Sequence, residues 1–291
     1  MNRAEAALHP PHAPAAAAVL AKGLLRAHRW LLLRRASQLA VLALFLLGPL
    51  AGIWIVKGNL ASSLTLDVLP LSDPYAVLQG LAAGHVMAAN ALIGAGMVAA
   101  FYALAGGRVY CAWVCPVNVV TDTASWLRRR LGLRLDISLP RNARLWLLGI
   151  TFALAAVTGA IAWEWVNPVS MLHRGLIFGF GLAWAVVLAV FLLDLLVSAR
   201  AWCGHLCPMG AFYSLLGTGA LLRVSARVAS RCDDCLDCYR ACPEPQVIQP
   251  ALKGAGSPII RSAACTNCGR CIDVCSQDVF RFAIRFDQRR N

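Results

Sequence analysis

The chain has 291 residues, of which 59% are hydrophobic and only 14% charged, with a formal net charge of +13 and 12 cysteines. Soluble globular domains are about 45–50% apolar and about 25% charged, so this composition excludes an ordinary soluble domain and calls for membrane spans. The cysteines fall in short clusters rather than scattered, which points away from a secreted disulfide framework and toward metal or redox chemistry in a reducing compartment.

In chain order, residues 1–35 form a basic segment with six Lys/Arg (Arg3, Lys22, Arg26, Arg29, Arg34, Arg35). Four apolar stretches follow, at 36–56, 81–104, 145–161 and 176–197. A bilayer core needs about 20 such residues per helix, and none of these stretches alternates as a strand would. The first is longer than the roughly 7–15 residues of a signal-peptide core, so it is predicted to be an uncleaved anchor. The segment 105–144 carries seven Arg, whereas the loops 57–80 and 162–174 carry one basic residue each, Lys57 and Arg174. Lys/Arg-rich segments stay cytoplasmic. The prediction is a multi-pass protein of the bacterial inner membrane with both termini cytoplasmic and two short periplasmic loops. Basic residues beside spans meet lipid headgroups, so no nucleic-acid partner is expected. The run Arg128, Arg129, Arg130 with Trp126, Leu127 and Leu131 predicts an amphipathic surface helix over 119–135.

The membrane part repeats itself. Arg108-Val109-Tyr110-Cys111-Ala112-Trp113-Val114-Cys115-Pro116 and Arg200-Ala201-Trp202-Cys203-Gly204-His205-Leu206-Cys207-Pro208 both read R-x-aromatic-C-x3-C-P. Upstream, Asp73-Pro74 with Leu78-Gln79 parallels Asn167-Pro168 with Leu172-His173. Each half is therefore a helical hairpin ending in a C-x3-C-P motif at the cytoplasmic face, with Asp or Asn capping the second helix. Cys115 and Cys207 precede helix starts, and Arg108 and Arg200 lie close in sequence; both features lower a thiol pKa. The four thiols Cys111, Cys115, Cys203 and Cys207 either bind a third metal or cluster or act as redox dithiols. In the outer loops, Glu164 and His173 are the candidate contacts for a redox-active ligand.

From Arg231 the chain turns polar and compact. It contains Cys232-x2-Cys235-x2-Cys238-x3-Cys242-Pro243, then Cys265-x2-Cys268-x2-Cys271-x3-Cys275-Ser276. This is the bacterial ferredoxin run, twice over. In two-cluster ferredoxins the fourth cysteine of each run serves the other cluster. One [4Fe–4S] cluster is thus assigned to Cys232, Cys235, Cys238 and Cys275, the other to Cys265, Cys268, Cys271 and Cys242. Zinc prefers separated C-x2-C pairs to such triplets. The predicted architecture is an α-helical membrane protein with four transmembrane helices as two repeated hairpins (36–222), plus a small α+β bacterial 2[4Fe–4S] ferredoxin-like domain (223–291).

The residues 108–116, 163–170 (WEWVNPVS), 202–208 (WCGHLCP), 242–245 (CPEP) and 268–271 (CGRC) together resemble the NapH family. The resemblance runs from about residue 27 to about residue 286. It implies a ferredoxin-type membrane subunit of a quinol dehydrogenase serving periplasmic nitrate reductase. Implied partners are ubiquinol, a periplasmic iron–sulfur protein (NapG-like), and a membrane tetrahaem cytochrome (NapC-like) or the reductase itself. Two alternatives stand beside it: a copper-reducing assembly factor of similar design, and the related methylamine-utilisation ferredoxin-type protein.

Overall fold

The computed structural model describes residues 15–133, 137, 139–179, 181–254 and 256–287. Two short helices, α1 (Ala16–Lys22) and α2 (Leu24–Ala27), lead into the long α3 (Arg29–Ala51). A three-stranded antiparallel sheet follows, β1 (Val56–Gly58), β2 (Ser62–Thr65) and β3 (Leu69–Ser72). Next come α4 (Pro74–Ala82), α5 (Ala89–Ala105), α6 (Val109–Trp113) and α7 (Val117–Arg130). The second half supplies α8 (Ala143–Thr158), α9 (Pro168–Phe178) and α10 (Leu182–Leu192), continued by π-helical turns at Leu193–Val197 and Trp202–Leu206, then α11 (Pro208–Leu216). The C-terminal domain holds β4 (Leu222–Ser225), α12 (Asp237–Ala241), α13 (Gln249–Leu252), α14 (Arg270–Val274) and β5 (Arg281–Ile284), with β4 and β5 paired antiparallel.

The four predicted spans need correction. Among the described residues, only α3 is long and apolar enough to cross a bilayer by length and composition; α5, α8 and the run Ala183–Val197 are apolar but shorter. The first span is shifted, since the helix starts at Arg29 and stops where Gly52 turns left-handed (φ +73°). The second and fourth are broken. Gly84 (φ +83°) separates α4 from α5, and Gly179 (φ +85°) separates α9 from α10. Only glycine adopts such backbone without strain, so each break is built into the sequence at an equivalent place in the repeat. Each half thus has a short helix capped at its start, a glycine break, and a longer apolar helix. Large apolar side chains stay exposed along the longer helices, among them Leu39 and Leu44 on α3, Ile93 and Phe101 on α5, Trp146 and Val157 on α8, and Leu188 on α10.

Both predicted caps are present. The Asp73 carboxylate accepts from Tyr75 N (3.2 Å), and the Asn167 side chain accepts from Val169 N (3.1 Å), with proline at the first helical position each time. The depth at which these caps lie is set by packing between distant parts of the chain. Strand β3 runs along α5, where a side chain at Gly94 would strike Pro70 O and Ser72 N. That brings Asp73 to the C-x3-C-P end of the bundle, where Tyr213 of α11 donates to its carboxylate (3.0 Å). The second loop reaches the same layer, with the Trp163 ring stacked on Trp202 at 6.3 Å. Helix α7 is amphipathic as expected. It buries Val117, Thr121, Ala124 and Ser125, and it leaves Trp126 exposed beneath the Arg130 guanidinium.

Arg3 lies outside the described residues. The described part of the basic N-terminal segment, from Ala15 on, packs against the C-terminal domain. Ala15, Ala18 and Ala27 join its apolar core. Lys22 Nζ donates to the carbonyls of Ile272 and Cys275, both at 2.8 Å, neutralising the C-terminal end of α14. In return, Asp273 accepts from the Trp30 and Leu31 amides, each at 3.0 Å, and so caps α3.

Candidate metal centres

The two ferredoxin runs adopt one backbone pattern. In the first, Asp234 (φ +57°) and Leu236 (φ +64°) are left-handed; in the second, Asn267 (φ +47°) and Gly269 (φ +72°) occupy the same places between the cysteines. Two left-handed residues per loop curl the chain so that three cysteines face one point. Short helices α12 and α14 then carry the third cysteine of each run and deliver the fourth, Cys242 or Cys275, to the opposite cavity.

The result is two cavities with crossed walls. One is lined by Cys232, Cys235, Cys238 and Cys275, with about 350 Å³ of empty space counting its open mouth. The other is lined by Cys242, Cys265, Cys268 and Cys271, with about 330 Å³. All twelve cysteines are free thiols. Burial pushes the Cys238 thiol up to about 12, and Cys275, Cys235 and Cys232 add to the rise. Burial likewise holds Cys271 well above the ordinary thiol value, with Cys268, Cys242 and Cys265 contributing. In each cavity two buried and two half-buried thiols face one another; as thiolates they repel, and a cationic group between them would relieve this. Among the described residues no three His, Cys, Asp or Glu side chains are placed to hold a single metal ion. Four-thiol cavities whose donors are not placed for one ion fit a multi-atom iron–sulfur group.

The C-x3-C-P motifs are linked to the second cavity by Arg108, which bonds both Cys203 O and Glu244 of the cavity wall. The charges of their thiols bear on one another: Cys115 feels Cys111 and Cys207, and Cys203 feels Cys207, Cys115 and Cys111. The expectation of lowered thiol pKa values is corrected here. The helix-start contact exists, with Gly210 N donating to Cys207 Sγ at 3.4 Å, but burial outweighs it and pushes Cys207 up to about 12. Cys111 is raised as well, although Arg108 opposes the rise.

Arg108 and Glu244 are the residues whose roles the sequence reading missed. The Arg108 guanidinium is buried. It donates to Glu244 Oε1 (2.6 Å), to Ala264 O (2.9 Å) and to Cys203 O (2.9 Å). Arg144 adds a second pairing to the same Glu244 oxygen (3.2 Å). Its repeat partner Arg200 turns elsewhere, joining Arg34 and Arg35 around Asp122. In the loop between α8 and α9, both Glu164 oxygens are paired: Asn167 Nδ2 donates to Oε1 (2.9 Å) and Ser170 Oγ to Oε2 (2.7 Å). His173 is buried edge-on against Phe45, and its Nε2 has no partner among the described residues. Its repeat counterpart Gln79 is also fully buried, with both amide atoms unpartnered among the described residues.

Comparison with known proteins agrees with this geometry. The family described as a 4Fe-4S binding domain matches residues 87–134 and again 180–225, and a 4Fe-4S dicluster domain matches 225–281. The methylamine utilization ferredoxin-type protein MauN of Paracoccus denitrificans is 62% identical over 84% of this chain and 86% of its own. The ferredoxin-type protein NapH of Escherichia coli is 48% identical over 91% of this chain and 93% of its own. The chain belongs to the NapH/MauN family of ferredoxin-type proteins. It is therefore an iron–sulfur electron-transfer protein of the NapH type. A more distant likeness, 30% over 52% of the chain, is to the regulatory protein NosR of Pseudomonas aeruginosa. No solved structure matches the chain.

Proposed function

We propose that this protein is a multi-pass membrane electron carrier that exchanges electrons with quinol and passes them through two [4Fe–4S] clusters. The observation that carries the proposal is the pair of crossed four-thiol cavities, one of which is tied to the C-x3-C-P layer through Arg108 and Glu244. Cys232, Cys235, Cys238 and Cys275 would hold one cluster, and Cys265, Cys268, Cys271 and Cys242 the other. When bound, such clusters supply one-electron chemistry. The chain's own part is to desolvate the thiols, fix their spacing and bring charged groups to them. Exposed apolar residues on α3, α5, α8 and α10 support the multi-pass reading. The mutual capping of α3 and α14 supports placing both termini on one side.

For quinol, His173 is better supported than Glu164, because its Nε2 is buried and unpartnered among the described residues while both Glu164 oxygens are occupied. The four C-x3-C-P thiols would lie between quinol and the clusters, as redox thiols or around a third group. The deep insertion of Asp73 and Trp163 shortens the distance an electron must cover between the outer loops and the cytoplasmic side.

Two physiological settings fit. A NapH-like role would send electrons to periplasmic nitrate reductase through NapG-like and NapC-like partners. A MauN-like role in methylamine utilisation is favoured by the higher identity to MauN, 62% against 48%. The test is anaerobic mixing of the purified protein with a short-chain ubiquinol, followed by absorbance and EPR. Cluster reduction by quinol supports the reading. Clusters that dithionite reduces and quinol never does would remove quinol from it and favour an assembly factor.

A further inference from the structure

The two thiol cavities are not equivalent in their surroundings. The Cys242/Cys265/Cys268/Cys271 cavity includes Glu244 in its wall, and Glu244 is the partner of Arg108. Its loop is pinned to the membrane-side layer by further bonds. Trp113 Nε1, from the first C-x3-C-P motif, donates to Asn267 O at 3.1 Å. Asn267 Nδ2 donates to Leu222 O (2.8 Å) and Ala105 O (3.4 Å), the latter at the end of α5. A side chain at Gly269 would strike Trp30, and one at Gly106 would strike Asn267. Charges from the membrane-side half reach these thiols: Arg108 acts on Cys265 and Arg200 on Cys242.

Among the described residues, the other cavity has no such bond to the membrane-side layer; the charged group from outside the C-terminal domain that meets it is Lys22, on the carbonyl of Cys275 (2.8 Å). Its wall is made of Asp233, Asp234, Leu236, Tyr239, Leu252, Val279 and Phe280 beside the cysteines, all from the C-terminal domain. Asp233 and Asp234 are exposed, and Asp234 pairs with the exposed Lys253. The charged groups acting on Cys232 and Cys235 are Asp233, Asp234, Asp237 and Lys253, again from that domain alone.

Arg108 stands between the two regions. It binds the Cys203 carbonyl on the membrane side, and Ala264 O and Glu244 on the cavity side, within electrostatic reach of Cys111, Cys203 and Cys265. We propose that Arg108 is a positioning and potential-setting residue that couples the C-x3-C-P layer to the Cys242/Cys265/Cys268/Cys271 cavity alone, making it the membrane-side centre and leaving the Cys232/Cys235/Cys238/Cys275 cavity as the solvent-facing one. The inference rests on the two-cluster reading above. A buried guanidinium beside a cluster favours its reduced, more negative state. Removing that charge lowers the potential of the nearby cluster, and removing the opposing Glu244 carboxylate raises it.

The experiment uses the full chain in detergent, in two single-cluster backgrounds. Cys235→Ala removes the solvent-facing cluster, and Cys268→Ala removes the membrane-side one. Each is titrated by EPR with and without Arg108→Gln. In the Cys235→Ala background, Arg108→Gln should lower the reduced-to-oxidised ratio at fixed potential by at least tenfold, about 59 mV for a one-electron couple. In the Cys268→Ala background it should change nothing measurable. Glu244→Gln should shift the same cluster in the opposite direction, and Arg108→Lys should restore part of the loss. Opposite signs at one cluster cannot come from general structural damage, and the Glu244 arm serves if Arg108→Gln fails to fold. Equal shifts in both backgrounds, a shift only in the Cys268→Ala background, or no shift at all would overturn the inference. Iron and sulfide below two clusters in the unsubstituted protein would instead sink the two-cluster reading, and this inference with it.

Discussion

Asp73 gives the sharpest energetic prediction, because one carboxylate does two jobs at a buried site. It caps α4 through Tyr75 N and accepts the hydroxyl of Tyr213, a residue only 1% exposed. Asp73→Ala removes a cap, worth about 1 kcal/mol. It also strands the Tyr213 hydroxyl, which costs about 1–3 kcal/mol. The sum is about 2–4 kcal/mol. At roughly 2–4 °C per kcal/mol for a chain of this order of size, the midpoint of thermal unfolding should fall by about 4–16 °C. Asp73→Asn keeps an acceptor in both bonds and should cost less than half of that. Tyr213→Phe should remove most of the additional penalty when combined with Asp73→Ala, leaving about the cap term. The assay is thermal unfolding in detergent followed by circular dichroism, with all four proteins at one scan rate. A neutral Asp73→Ala, or Asp73→Asn as damaging as Asp73→Ala, would refute the deep insertion of the loop that carries Asp73.

Three further outcomes are expected. Cys242→Ala should lose the same cluster as Cys265→Ala, and Cys275→Ala the same one as Cys232→Ala; matching EPR difference spectra check the crossing, and loss within each run would contradict it. Asp122→Asn leaves Arg34, Arg35 and Arg200 crowded without their shared anion. Breaking such a partly buried network costs about 3–5 kcal/mol, which detergent melting curves should report as a large loss of stability. Finally, the Arg108 and Arg144 charges hold the Glu244 carboxyl below the ordinary glutamate value of 4.5. A depressed carboxylate stabilises the folded state fully above its unfolded value and loses that contribution as pH falls through the native one. Acid titration of melting temperature should therefore show a component below about pH 4.5 that vanishes in Glu244→Gln; a component that survives there would assign the acid sensitivity to other carboxylates.

The parts of this molecule dictated by local spacing were legible in the sequence. Three cysteines two residues apart can only converge if the loop between them curls, so the runs from Cys232 and Cys265 announce their geometry; the crossing of Cys242 and Cys275 came from the pattern of two-cluster ferredoxins, not from spacing. The caps at Asp73 and Asn167 were legible for the same reason, since Asp or Asn before proline fits few other places. What escaped is set by contacts between residues far apart in the chain. Hydropathy counts residues without seeing that Gly84 and Gly179 turn left-handed, so broken helices read as continuous spans. Nothing local ties Asp73 to Tyr213, 140 positions away. Arg108 sits beside Cys111 in sequence, which suggested a simple effect on that thiol. Its main partner, Glu244, lies 136 positions on, in a different domain. The helix-start argument for Cys207 was sound locally, yet burial by the surrounding helices outweighed it.

The central claim is that eight thiols in crossed sets hold two four-iron clusters. The most direct measurement is anaerobic quantification of iron, acid-labile sulfide and zinc on the purified full chain, paired with EPR of the dithionite-reduced protein. The account predicts about eight iron and eight sulfide per chain, with a spectrum split by magnetic interaction between neighbouring clusters. Stoichiometric zinc without labile sulfide would contradict it.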